Sequence, residues 1–145
     1  MATVQDILGR KGSDVVSMVA GESVLNAARL MNERGVGGVV VTDGGEVVGV
    51  FTERDILRRV VAEQLDPAAT TLQEVMTSPV ITCRPEAELE ECVGLMTVKR
   101  VRHLPVVDDS GLRGVITSGD ILAHQVQEQK DTIEYLNSYV FDIRR

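Results

Sequence analysis

Tryptophan is absent from this chain, and 145 residues include only two phenylalanines and two tyrosines. The core therefore has to be filled by Val, Leu, Ile, Ala and Met. The chain has only two cysteines, Cys83 and Cys92, and no CxxC spacing. That argues against a disulfide framework or a zinc knuckle and leaves buried free thiols. Positive charge is also in deficit, with a formal net charge of −7. Nucleic acid is bound mainly through counterion release by Lys and Arg, so this balance argues against nucleic acid and against anionic membranes. No run is long enough to span a bilayer, and "MATVQDILGRKG" has no apolar stretch that would serve as a signal peptide. A cytoplasmic protein is expected. With two histidines, His103 and His124, and no Ser-His-Asp or HExxH pattern, nothing reads as catalytic and no metal site is expected.

The remaining composition, 43% hydrophobic and 26% charged, is that of a globular chain able to bury a proper core. Its organisation lies in a repeat. "GVFTERDIL" at residues 49–57 recurs as "GVITSGDIL" at 114–122, a shift of 65 residues that holds without a gap over a whole segment. Leu30 falls on Leu95, Met31 on Met96, Val36 on Val101 and Asp43 on Asp108. Val24, Ala27, Ala28 and Met31 mark one face of a helix, and Leu89, Cys92, Val93 and Met96 mark its counterpart. "VGGVVVTD" and "VRHLPVVDD" read as buried strands, "EVVGVF" and "LRGVI" as second strands, with helices starting near residues 53 and 118. Each half is expected to be β-α-β-β-α, joined by the polar linker "AEQLDPAATT".

A second pair of segments, "TVQDIL" at 3–8 and "TLQEVM" at 71–76, is related by 68 residues instead. The connection that follows is "GRKGSD" in the first half and "TSP" in the second, so the first half carries three extra residues, including the glycine-flanked Arg10 and Lys11.

With its doubled Gly-h-h-Thr-x-x-Asp (h, apolar) at Gly49–Asp55 and Gly114–Asp120, the chain resembles a tandem pair of cystathionine-β-synthase (CBS) domains, a Bateman module. The resemblance covers about residues 3–127. It implies an α+β fold of two repeats, 1–63 and 71–127, related by a pseudo-two-fold axis, with a helical extension over 128–145.

Two readings of the junctions coexist. Thr-x-x-Asp before an apolar run is a capping-box pattern. Capping boxes favour Glu or Gln at the fourth position, so the shorter Asp is expected to leave a carboxylate free to face outward. Such a carboxylate accepts hydrogen bonds from ribose hydroxyls, and a Thr hydroxyl with helix N–H groups suits a phosphate. The resemblance assigns ribose to Asp55 and Asp120, and phosphate or ribose to Thr52 and Thr117.

"KRVRHLPVVDD" gathers Lys99, Arg100, Arg102 and His103. Lys99 and Arg100 fit a solvated helix C-terminus. Arg102 and His103 lie beyond it, where the resemblance implies contact with a nucleotide phosphate. Their counterparts Gly37 and Gly38 suggest close approach of backbone or ligand, and Gly35 a helix C-cap. Thr82, on the expected first strand of the second half, and its match Ser17 are positions where the resemblance implies contact with adenine and ribose; β propensity alone also favours a strand Thr.

The expected function is regulatory: an adenine nucleotide (AMP first, then ADP, ATP or NAD) bound between the repeats, its occupancy passed to a protein effector by a change of shape. No cofactor is required. The alternatives are a structural interaction module and an accessory domain acting on an enzyme in trans. A homodimer is expected, from the resemblance and from the stripe Ile133, Leu136 and Val140 outside both repeats. Because Arg102, His103 and Lys11 have no matching cations in the other repeat, the two clefts are expected to differ about tenfold or more in affinity.

Overall fold

The structure, a computed structural model, describes residues 1–12 and 14–144. In the first half come α1 (Val4–Lys11), β1 (Ser17–Val19), α2 (Val24–Arg34), β2 (Gly38–Asp43), β3 (Glu46–Thr52) and α3 (Glu53–Asp55), which continues as a π-helical segment over Ile56–Val61. The second half supplies α4 (Leu72–Val75), α5 (Leu89–Lys99), β4 (His103–Asp108), β5 (Gly111–Thr117) and α6 (Ser118–Arg144). The architecture is the expected α+β pair of repeats, down to its irregularities. The β2–β3 hairpin shifts register between Val41 and Thr42, and β4–β5 shifts at the equivalent Val106 and Val107.

The buried residues form two cores, and each takes one helix from the other half of the chain. Val4, Ile7 and Leu8 of α1 pack with Leu89, Cys92, Met96, Leu104, Val106 and Ile116. Leu72 and Val75 of α4 pack with Val24, Met31, Val39, Val41, Phe51 and Val60. Backbone bonds lock both exchanges in the same way. Val4 N–H donates to Ala87 O (2.9 Å) and Leu89 N–H to Ala2 O (3.1 Å), while Leu72 N–H donates to Glu22 O and Val24 N–H to Thr70 O (both 2.9 Å). Thr3 and Thr71 head these helices with capping boxes completed by Asp6 and Glu74.

Two sequence expectations change. The first strand of the second half shrinks to one bridge, Cys83 with Val106, so Thr82 is not on a strand and the sheet β4–β5 has two strands. The reason is two prolines. In the first half Val40 N–H donates to Val16 O (3.0 Å) and Ala20 N–H to Thr42 O (2.9 Å), and their counterparts Pro105 and Pro85 have no N–H to give. Next, Gly9, Arg10 and Lys11 are not part of a connection but the last turn of α1, which ends at Gly12 with φ 92°; Ser13 lies outside the described residues. The C-terminal extension is helical, as expected. It continues α6 as far as Arg144, Arg145 lying outside the described residues, and its Ile133, Leu136 and Val140 are exposed.

Candidate functional site

A cleft of about 670 Å³ opens between the repeats. One wall is the first junction, with Thr52, Glu53, Asp55, Arg54 and Arg58. The opposite wall is the end of α5 and the start of β4, Lys99 to His103. Val50, Pro79, Val80 and Ile81 supply apolar surface. The cleft therefore pairs the junction of one repeat with the basic cluster of the other. Within each repeat a matched backbone bond ties the junction to the start of the neighbouring strand, Glu53 N–H to Gly37 O and Ser118 N–H to Arg102 O, both 3.0 Å.

Both junctions are capping boxes. Asp55 Oδ2 accepts from Thr52 N–H at 3.0 Å, and Thr52 Oγ1 accepts from Asp55 N–H at 3.4 Å. Asp120 and Thr117 do the same at 2.9 and 3.1 Å. The expectation of an outward-facing carboxylate fails at Asp55, which is only 5% exposed. The Thr77 hydroxyl reaches it from across the repeat boundary, 2.9 Å from Oδ1 and 3.2 Å from Oδ2, and Arg59 Nε lies 3.9 Å from Oδ1. The shorter Asp still closes the box because the tight first turn brings the carboxylate to the Thr52 amide. An ionised carboxylate has about four acceptor positions, so capping leaves capacity on Oδ1.

The second junction is different. Lys11, at the end of α1, places its ammonium 2.7 Å from Asp120 Oδ2 and donates to Val115 O at 2.9 Å. The lengthened α1 thus delivers a cation to the carboxylate that corresponds to Asp55. Arg10 is exposed beside it.

His103 lies between the junctions. Burial, then the charge of Lys11, push its imidazole below the usual 6.5, against the opposing pull of Asp120 and Glu53. Gly38 is the glycine that makes room: a Cβ there would stand 3.1 Å from Thr52 Cγ2 and 3.2 Å from His103 Nε2. The close approach read from the glycines is thus made at Gly38 by the Phe51 backbone oxygen, also 3.2 Å from such a Cβ, together with these two side chains, while Gly37 lines the cleft beside the Glu53 carboxylate. Gly35 caps α2 at φ 65° as expected.

Of the sequence candidates, the cleft brings together Thr52, Asp55, Gly37, Arg102 and His103. Thr117, Asp120 and Lys11 form the second junction, and neither Ser17, exposed on β1, nor Thr82 lines the cleft. Sequence reasoning missed Thr77, Val80, Ile81, Arg54 and Arg58, and assigned Lys99 and Arg100 to a solvated helix end. Outside the cleft, His124 is hydrogen-bonded to Glu128 (3.1 Å), and burial pushes the Cys83 thiol, beside Cys92, up to about 12. Among the described residues no helix is long and apolar enough to cross a membrane.

The sequence profile of the CBS domain matches twice, over residues 4–62 and 72–127. The CBS domain-containing protein YhcV of Bacillus subtilis is 30% identical over 129 residues, covering 89% of this chain and 89% of that protein. A solved structure of a protein with CBS domains from Burkholderia ambifaria superposes with a TM-score of 0.84 at 37% identity, over 88% of this chain and 96% of that one. The CBS domain pair of protein MJ0100, solved in complex with 5′-methylthioadenosine and S-adenosyl-L-methionine, superposes with a TM-score of 0.78 at 25% identity, over 88% and 98%. Two profile matches separated only by the linker account for most of the sequence, and the chain belongs to the CBS-domain family as a tandem pair.

Proposed function

We propose that the chain is a regulatory module that binds an adenine nucleotide in the cleft between its repeats and passes its occupancy to a protein partner by a change of shape. The observation that carries this reading is the composition of the cleft. Apolar Val50, Val80 and Ile81 offer a surface for a base, Asp55 a buried acceptor for ribose hydroxyls, and Arg102 and His103 donors for phosphate. Adenosine is the part shared by both ligands of the MJ0100 pair and by AMP, ADP, ATP and NAD.

The two junctions are unequal in this reading. At the second, a ribose would have to displace the Lys11 ammonium from Asp120, which favours occupation of the first cleft. A ligand that binds only the folded chain adds RT ln(1 + [L]/Kd), about 2.7 kcal/mol at 100 Kd. For a chain of this size that is a rise of several degrees in Tm. Thermal melts with millimolar AMP, ADP, ATP and NAD test it, and four unchanged melting temperatures would remove nucleotide binding from consideration.

The partner surface suits a second copy of this chain. Leu57 and Val61 are exposed at the end of the first repeat, and the equivalent Leu122 and Val126 are exposed on α6 beside the Ile133, Leu136 and Val140 stripe. Pseudo-symmetric apolar ridges of this kind are buried when two copies meet face to face. Light scattering at micromolar concentration is expected to return twice the chain mass; a monomer with and without nucleotide would contradict it.

A further inference from the structure

We infer that the lip of this cleft is a polyphosphate site whose specificity-determining side chain is Arg100, so that the cleft ranks adenine nucleotides by their number of phosphates. The base and ribose part of this statement rests on the nucleotide reading above; the polyphosphate part stands on the lip itself.

The backbone of Arg100 gives the first indication. It caps α5 in the left-handed conformation, φ 55° and ψ 42°. The equivalent cap of α2 is Gly35, at φ 65° and ψ 38°. Glycine adopts this conformation freely, and a residue with a Cβ does not. The second repeat thus keeps a side chain where the first dispenses with one, and that side chain lines the cleft. Backbone held in a disfavoured region at a ligand cleft is a pointer to function.

The second indication is charge. Arg54, Arg58, Lys99, Arg100 and Arg102 all line the cleft, and among the described residues none of them is within ion-pair distance of a carboxylate. Arg59, by contrast, is committed: its guanidinium donates to Met76 O at 2.7 Å and Val75 O at 3.2 Å. On the acidic side, Asp55 is buried and capped, which leaves Glu53 as the exposed carboxylate of the lining. Five uncompensated cations therefore converge from both repeats, in a protein whose net charge is −7.

A monophosphate beside Arg102 and His103 would leave most of that positive potential unanswered. A di- or triphosphate extends further and carries more charge, and planar guanidinium groups bind phosphate oxygens in pairs. The same potential opposes a ligand with a cationic sulfonium, so S-adenosylmethionine is disfavoured. At physiological ionic strength screening acts over about 8 Å, so the preference is a contact effect and should weaken with salt.

The test is titration calorimetry of the full chain with adenosine, AMP, magnesium-free ATP and inorganic tripolyphosphate, each at low and high salt. Wild type is compared with Arg100→Gly, which removes the side chain and keeps the left-handed cap. ATP is expected to bind at least about tenfold tighter than AMP, with the gap narrowing in high salt. Arg100→Gly should lower ATP and tripolyphosphate affinity about tenfold, leave AMP within about twofold, and leave the melting temperature unchanged or higher. AMP binding as tightly as ATP, or ATP indifferent to Arg100→Gly, overturns the lip and leaves the nucleotide reading intact. Tripolyphosphate binding that is lost in Arg100→Gly, with no nucleotide bound, keeps the lip and overturns the nucleotide reading. If neither nucleotide nor tripolyphosphate binds, both fall.

Discussion

Leu72→Ala is expected to cost about 2–5 kcal/mol of stability, and the damage should appear in the first half of the chain. Leu72 is fully buried, yet its neighbours are not the strands that follow it in sequence. It packs in the core of Phe51, Val60, Met31 and Val39, because α4 has crossed to the first repeat. Denaturant titration measures the loss, and amide hydrogen exchange locates it. Val39–Val41 and Val50–Phe51 should exchange faster while Leu104 and Val106 keep most of their protection. Leu8→Ala is the mirror experiment, with β4 and β5 exposed in place of β2 and β3, since Leu8 belongs to the other core. Opening of β4 and β5 first in the Leu72 variant would mean that the helices are not exchanged in solution.

Gly49→Ala is expected to cost about 1–3 kcal/mol, the range for forcing a methyl group into packed surroundings. Neither motif glycine, Gly49 or Gly114, has a positive φ, so backbone freedom does not explain them. Space does. A Cβ on Gly49 would stand 2.6 Å from Met76 Sδ and 3.0 Å from Thr77 O. On Gly114 it would stand 2.7 Å from Leu8 Cδ2. Leu8 of α1 and Met76, the C-cap of α4, pack against these two glycines. The contacts differ in one useful respect. The three atoms nearest a Cβ on Gly114 all belong to the Leu8 side chain, so Gly114→Ala should cost little more once Leu8→Ala has been made. Gly49 also faces backbone, so Met76→Ala should rescue Gly49→Ala only in part. Thermal denaturation of the single and double variants measures both couplings; full additivity in both pairs would remove the crossing helices as the cause.

These glycines bear on the cleft as well. Thr77 N–H donates to Val50 O at 2.9 Å in the residue pair next to Gly49, and the Thr77 hydroxyl then lies on Asp55. Moving α4 away from Gly49 would move the hydroxyl that holds the Asp55 carboxylate. A change at Gly49 is therefore expected to disturb the Asp55 carboxylate, six residues later, without any contact to it.

The residues that announced the repeat were legible because their work is local. Thr52 with Asp55, and Thr117 with Asp120, cap helices through contacts spanning three residues. Gly35 ends a helix by its own backbone conformation, and the buried face of Val24, Ala27 and Met31 follows from helical period alone. What no local pattern carried was the identity of the surfaces that meet. Lys11 and Asp120 are 109 residues apart, and nothing in "GRKGSD" distinguishes a loop from a longer α1 aimed at a carboxylate in the other repeat. Arg100 read as an ordinary basic helix end; only its φ, set beside that of Gly35, and its place opposite Arg54 and Arg58 gave it a second meaning. Thr82 read as a strand residue, and the N–H groups missing from Pro85 and from Pro105, the latter in a strand further along the chain, removed most of that pairing. Periodicity and capping depend on neighbours within a few residues, so the sequence determined the repeats and their junctions. Burial is satisfied by whichever apolar face lies nearest in space, so only the tertiary structure decided that each core takes its helix from the other repeat and that one junction faces an open cationic cleft while its twin faces Lys11.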